Sequence, residues 1–133
     1  MPAELIRSRN LSDVAEYAYA SVVPAGTRLV FLAGSCPLDS DGRTVRKGEF
    51  AAQALQCVAN LRIALKVVNA DLQDVVSTRV LVASSRQSDL VKAWEVVRDE
   101  FGNHDVPSTL MGVTVLGYDD QLVELEAVAA VKD

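Results

Sequence analysis

The sequence predicts one α+β domain over residues 1–133, ordered β-β-α-β-α-β-β, with two helices on one face of a mixed sheet. Three observations predict it. Apolar residues step by threes and fours in two stretches, as one face of a helix requires. β-favouring runs fill five others, alternating by twos in the longest. No linker, internal repeat or low-complexity stretch divides the chain, and 133 residues suffice to close one core.

The elements follow in order. Residues 1–15 read as a polar lead-in. The runs 17–23 and 28–33 flank Pro24-Ala-Gly26, which suggests a hairpin. Gly34-Ser-Cys-Pro37 ends the second run, and Asp39-Ser-Asp-Gly42 is a surface turn. Residues 48–70 carry Phe50, Ala54, Val58, Leu61, Leu65 and Val68 as a helical stripe, with Gln53, Gln56, Asn60 and Lys66 off it. Asn69-Ala-Asp71 closes this helix. In the strand 75–83, Val76, Thr78, Val80 and Val82 share one face, while Val75, Ser77, Arg79 and Leu81 share the other.

A second helix, 88–101, has Leu90, Trp94 or Ala93, Val97 and Phe101 as its stripe and Gly102-Asn103 as its stop. Strands 108–116 and 121–131 finish the chain around the turn Gly117-Tyr-Asp-Asp120. Val123, Leu125, Ala127, Ala129 and Val131 line one face of the last strand and must pack under the helices. The helix-free face is expected to carry Glu124 and Glu126 together with Val80, Val82, Leu122 and Val128. So apolar a face calls for cover by other copies of the chain.

Composition excludes several classes. The net charge of −5 and the lack of any basic stripe disfavour nucleic acid. No apolar run is long enough to span a membrane, and the first residues do not form a signal peptide, so a cytoplasmic protein is expected. Cys36 and Cys57 with a single histidine match no zinc pattern, so no metal site is expected and both thiols should be reduced. Cys36 sits in a turn where it is either partly buried or reactive. His104 reads as a loop residue. The turn acids Asp39, Asp41, Asp119 and Asp120 lack calcium-loop spacing. A phosphate-cradling glycine loop and a serine nucleophile elbow are both missing from the sequence. Glu124 on an inward apolar face is either a functional carboxylate or a structural interface acid, and needs a donor in both cases.

Several short segments share one order and spacing: Leu29-Val-Phe-Leu-Ala-Gly34 with Pro37, Gln53-Ala-Leu-Gln56 with Asn60-Leu61, Asp74-Val-Val, Pro107-Ser-Thr, and Leu122-Val-Glu-Leu-Glu-Ala127. In these the chain resembles the YjgF/RidA family of reactive-intermediate deaminases. The resemblance implies a chorismate-mutase-like fold and a homotrimer around a central barrel, with clefts between adjacent subunits. Active members hydrolyse enamines and imines to 2-oxo acids and ammonia without a cofactor. They clamp the substrate carboxylate with an arginine and use a glutamate of the last strand for water or protons.

Carried over, that glutamate is Glu124, the expected catalytic group, and the arginine position holds Thr109. A threonine supplies neither the charge nor the bidentate fork. Tyr19, Ala33, Gly34, Trp94, Thr109 and Met111 are the expected ligand-binding residues, although Thr109 and Trp94 also read as ordinary strand and core residues. Arg79 or Arg98 is a candidate to replace the missing cation. The sequence therefore predicts a divergent, cofactor-free trimer that binds a small metabolite (2-oxo acid, imine-like or more apolar) without the usual deaminase activity. The alternatives are a retained imine or enamine hydrolase and a non-catalytic accessory protein.

Overall fold

The computed structural model describes residues 3–14 and 16–132. Its elements are β1 (Glu4–Ile6), β2 (Ala20–Val22), β3 (Thr27–Phe31), α1 (Phe50–Val67), β4 (Val75–Val82), α2 (Gln87–Phe101), β5 (Ser108–Gly112) and β6 (Val123–Lys132). Strands β3, β6, β4 and β5 form a four-stranded sheet in that spatial order, and β1 pairs with β2 in a separate ribbon. β4 and β5 run parallel, joined through α2, while β6 is antiparallel to both of its neighbours.

Both helices form where the apolar period is three to four, and both pack on one face. Ala54, Val58, Leu61 and Leu65 of α1, with Ala93, Val97 and Phe101 of α2, bury against Val80, Val82, Val123, Leu125, Ala127 and Ala129. The helix ends match the sequence signals. Asn69 just beyond α1 takes a φ of 58°, and Gly102 caps α2 at 60°. Ala93, not Trp94, is the fully buried member of the α2 stripe, and Val68 is exposed beyond the end of α1.

Three expectations are corrected. The hairpin joining 17–23 to 28–33 does not form: β2 pairs with β1, and β3 pairs with β6. The polar lead-in thus contains a strand, whose Leu5 packs against the core. Ten-residue β6 offers β3 a five-residue ladder from Thr27↔Lys132 to Phe31↔Val128, a longer set of hydrogen bonds than three-residue β2 can supply. The second correction concerns Val80 and Val82. They pair with Leu125 and Val123 and so lie under the helices. A bulge between Val75 and Ser77 precedes this register.

The helix-free face instead carries Ser77, Arg79 and Leu81 of β4, Thr109 and Met111 of β5, Glu124, Glu126 and Val128 of β6, and Leu29 and Phe31 of β3, by the same pairings. It is still an oily face, with Leu29 52% and Phe31 75% exposed. The third correction is Gln53. It was expected outside the apolar stripe, yet it is fully buried. Its amide donates to the carbonyls of Val45 and Asp120 at 3.1 and 3.0 Å and accepts from the Leu122 N–H at 2.8 Å.

Candidate functional site

The chain leaving β3 keeps following β6 past the end of regular pairing. Leu32 donates to the Ala127 carbonyl, and Ser35 exchanges two backbone bonds with Leu125. This path lays Gly34 directly over Glu124. A Cβ at position 34 would stand 2.2 Å from Glu124 Oε2, so the carboxylate fills the space that a side chain there would need. The glycine is required by close approach, since its φ is not in the left-handed region.

Two donors hold the carboxylate. Gln121 Nε2 donates to Glu124 Oε1 at 3.1 Å, and the Cys36 thiol points at the same oxygen at 3.4 Å. Asn60 of α1 fixes the loop carrying Cys36 by donating to the Cys36 and Leu38 carbonyls at 2.8 and 2.9 Å. Glu124 makes no ion pair among the described residues. An open groove lined by Ala33, Gly34, Cys36, Asn60, Ile63 and Tyr118 shares Gly34 and Cys36 with this seat, but Glu124 does not line it.

Burial, then the hydrogen bond and negative charge of Glu124, push the Cys36 thiol up to about 11. A thiol so placed stays neutral at physiological pH and is a weak nucleophile. Cys36 in the native protein is therefore expected to resist iodoacetamide at pH 8. Glu124→Gln should speed its alkylation at that pH, because two of the raising causes disappear. Equal rates in the two proteins, read by peptide mapping, would contradict this geometry. Cys57 is buried in the core, and burial raises its pKa.

The other expected site residues divide into two groups. Thr109 and Met111 lie on the helix-free face of edge strand β5, in the cross-strand rows Thr109–Arg79–Glu126 and Met111–Leu81–Glu124. Two strand spacings, roughly 10 Å, separate them from β6 within one chain. Tyr19 and Trp94 stand elsewhere. Tyr17 bridges them edge-on, with ring centroids 6.3 Å from Tyr19 and 5.8 Å from Trp94. Trp94 lines a small hollow with Glu16, Thr78, Arg98 and Val106 on the helix side of the sheet, opposite to Glu124. The Tyr19 hydroxyl donates to the Ser12 carbonyl. The single chain thus brings Ala33 and Gly34 to Glu124, but not Tyr19, Trp94, Thr109 or Met111.

Of the candidate cations, Arg98 is bound to Glu16 and Asp99, while Arg79 lies beside Thr109. His104 is buried with Nε2 2.7 Å from the Val75 carbonyl, a structural role. Asp39 closes its turn by accepting from the Asp41 and Arg43 N–H groups. Gln121 was not foreseen from the sequence. Its signal was a polar residue three positions before Glu124 in a turn, which does not reveal where its amide points. Among the described residues no cluster of His, Cys, Asp or Glu could hold a metal, and no helix is long and apolar enough to cross a membrane.

Comparison with known proteins covers most of the chain. The sequence profile of the family described as Endoribonuclease L-PSP matches residues 10–131. A RutC family protein of Pyrococcus abyssi is 30% identical over 111 residues, 84% of each chain. A solved structure from Yersinia pestis, described as a protein of unknown function of the conserved Rid protein family, superposes with a TM-score of 0.85. It covers 98% of this chain and 100% of its own at 23% identity, a likeness of fold. A YjgF/YER057c/UK114-family protein of Mycobacterium tuberculosis is 29% identical with a TM-score of 0.65, covering 97% and 99% of the two chains.

Proposed function

Because the chain belongs to the Endoribonuclease L-PSP family, which includes the Rid and YjgF proteins, we propose that it is a small-metabolite-binding member without the usual imine deaminase activity. The observation that carries this reading is the seat of Glu124. A carboxylate held by Gln121 and Cys36 beneath Gly34 is a fixed acceptor on the face where a second copy would close a cleft.

The rest of the cleft comes from a second copy. Glu124 and Gly34 lie toward the β3 side of the sheet, and Thr109 and Met111 lie on the β5 edge. Three copies packing their helix-free faces cover Leu29 and Phe31 and bring the two edges together. The expected solution mass is three times that of the chain, and a monomer by light scattering would remove the cleft. In this arrangement Glu124 is an acceptor or base toward an imine-like N–H or a water molecule beside the bound ligand. Thr109 offers only a neutral hydroxyl where imine hydrolysis needs a carboxylate clamped by a bidentate cation. The family description names a ribonuclease. A net charge of −5 with no basic stripe speaks against capture of a phosphate backbone, so RNA is not the proposed ligand.

The test uses 2-iminobutanoate released by a pyridoxal-phosphate dehydratase. The protein should leave its decay unchanged, and Thr109→Arg should accelerate it. Acceleration by the wild-type protein that vanishes in Glu124→Gln would establish the deaminase instead. Thermal shift against 2-oxo acids and apolar metabolites reads binding directly, and stabilisation by none of them would leave an accessory protein.

A further inference from the structure

Resting on the cleft reading above, we propose that Arg79 is the carboxylate-binding cation of this site, so that its ligands are small organic acids. Parallel pairing sets Arg79 directly beside Thr109, and antiparallel pairing sets it beside Glu126, all on the helix-free face. In the single chain its side chain is 56% exposed, and its only ion pair among the described residues is a single Nε to Oε1 contact of 3.4 Å with Glu126, itself 40% exposed there. A guanidinium has five N–H donors. Here one edge leans on Glu126, and the terminal nitrogens donate no hydrogen bond that the described residues show.

Where the cleft between copies stays open to solvent, a pair with one long contact contributes little and is readily opened. A carboxylate arriving at the cleft can therefore take the open fork in two parallel bonds. The Thr109 hydroxyl lies one strand away on the same face, and Arg79 itself lines a shallow hollow with Phe31, Ser77, Glu126 and Val128. The competing arginine, Arg98, is committed to Glu16 at 2.7 Å and Asp99 at 2.9 Å.

This placement has a further consequence. Arg79 projects from β4 and not from the edge strand, so it anchors an acid about one strand spacing, roughly 5 Å, inward of position 109. An acid held there is bound but offset from the path by which Glu124 would direct water, which accounts for binding without turnover. Glu126 opposes a second carboxylate, so its neutralisation should tighten acid binding.

Calorimetry with 2-oxobutanoate and its uncharged amide, 2-oxobutanamide, tests the assignment. Wild type should prefer the acid at least tenfold. Arg79→Gln should bind the two alike, Arg79→Lys should retain part of the preference, and Glu126→Gln should keep or increase it. Light scattering and circular dichroism establish that each variant keeps its assembly and fold. If Arg79→Gln fails to assemble, the Arg79→Lys result decides. A preference unchanged in an assembled Arg79 variant overturns this proposal alone. Binding of neither compound by wild type overturns the assignment of Arg79, whereas the cleft reading falls only if the apolar metabolites also fail to stabilise the protein.

Discussion

Gln53→Leu is expected to lower stability by about 3 kcal/mol, a fall of roughly 10 °C in Tm at fixed protein concentration. The leucine is similar in size, so packing changes little. What is lost is the amide. The Leu122 N–H, now bonded to Gln53 Oε1 at 2.8 Å, would be left part-buried and unpaired. The Val45 and Asp120 carbonyls would lose their donor as well. Each buried polar group left without a partner costs about 1–3 kcal/mol.

The same amide ties the loop after β3 to the turn before β6. Gln121, the donor to Glu124, sits between two of its anchor points, Asp120 and Leu122. Gln53→Leu should therefore also loosen the Glu124 seat. Thermal denaturation checks the first effect, and a Tm within about 2 °C of wild type would mean that the amide is not a structural hub.

Gly34→Ala is expected to reduce ligand affinity roughly 10- to 100-fold while changing stability by less than about 1 kcal/mol. One methyl group at position 34 would meet Glu124 Oε2 at 2.2 Å and Cδ at 2.8 Å. Backbone cannot give way easily, because neighbouring Ser35 is locked to Leu125 by two hydrogen bonds of 2.7 and 2.9 Å. The carboxylate must swing out, abandoning Gln121 and Cys36.

Stability changes little because the freed carboxylate reaches water. A second readout does not depend on any ligand. With Glu124 displaced, the Cys36 thiol loses two of its raising causes, so its alkylation at pH 8 should quicken, as is expected for Glu124→Gln. A slow Cys36 together with intact binding in Gly34→Ala would show that Glu124 is not seated as described.

How far these features were legible differs from residue to residue. Leu61, Leu65, Val97, Leu125 and Ala127 declared themselves as core, because repeating apolar positions encode a face whatever packs on it. The stops at Asn69 and Gly102 were equally plain, since few residues other than Gly and Asn adopt positive φ. Gln53 was not legible. A glutamine reads as solvated unless the carbonyls that surround it are known, and Val45 and Asp120 are 8 and 67 positions away. The side on which Val80 and Val82 lie is not legible in the sequence, because a β-strand alternates identically on both faces. Only pairing with Leu125 and Val123 decides which side lies under the helices.

The partner of β3 followed the same logic. A Pro/Gly turn suggested a local hairpin, but the longer ladder with β6 prevailed, although it closes a loop of about a hundred residues. Tyr19 and Trp94 are expected in the cleft by resemblance; within one chain they gather around Tyr17, and a cleft between copies draws on residues that a single chain keeps apart.

By itself, the sequence determined the two-helix, mixed-sheet architecture, the buried face of β6, the family, and the absence of arginine at position 109. These are properties of local period and residue identity. Tertiary structure alone decided that Gly34 must be a glycine to admit the Glu124 carboxylate, that Gln121 and Cys36 hold it, and that Arg79 lies beside Thr109. Those facts arise from strand register and loop closure, which join residues far apart in the chain and leave no periodic trace in it.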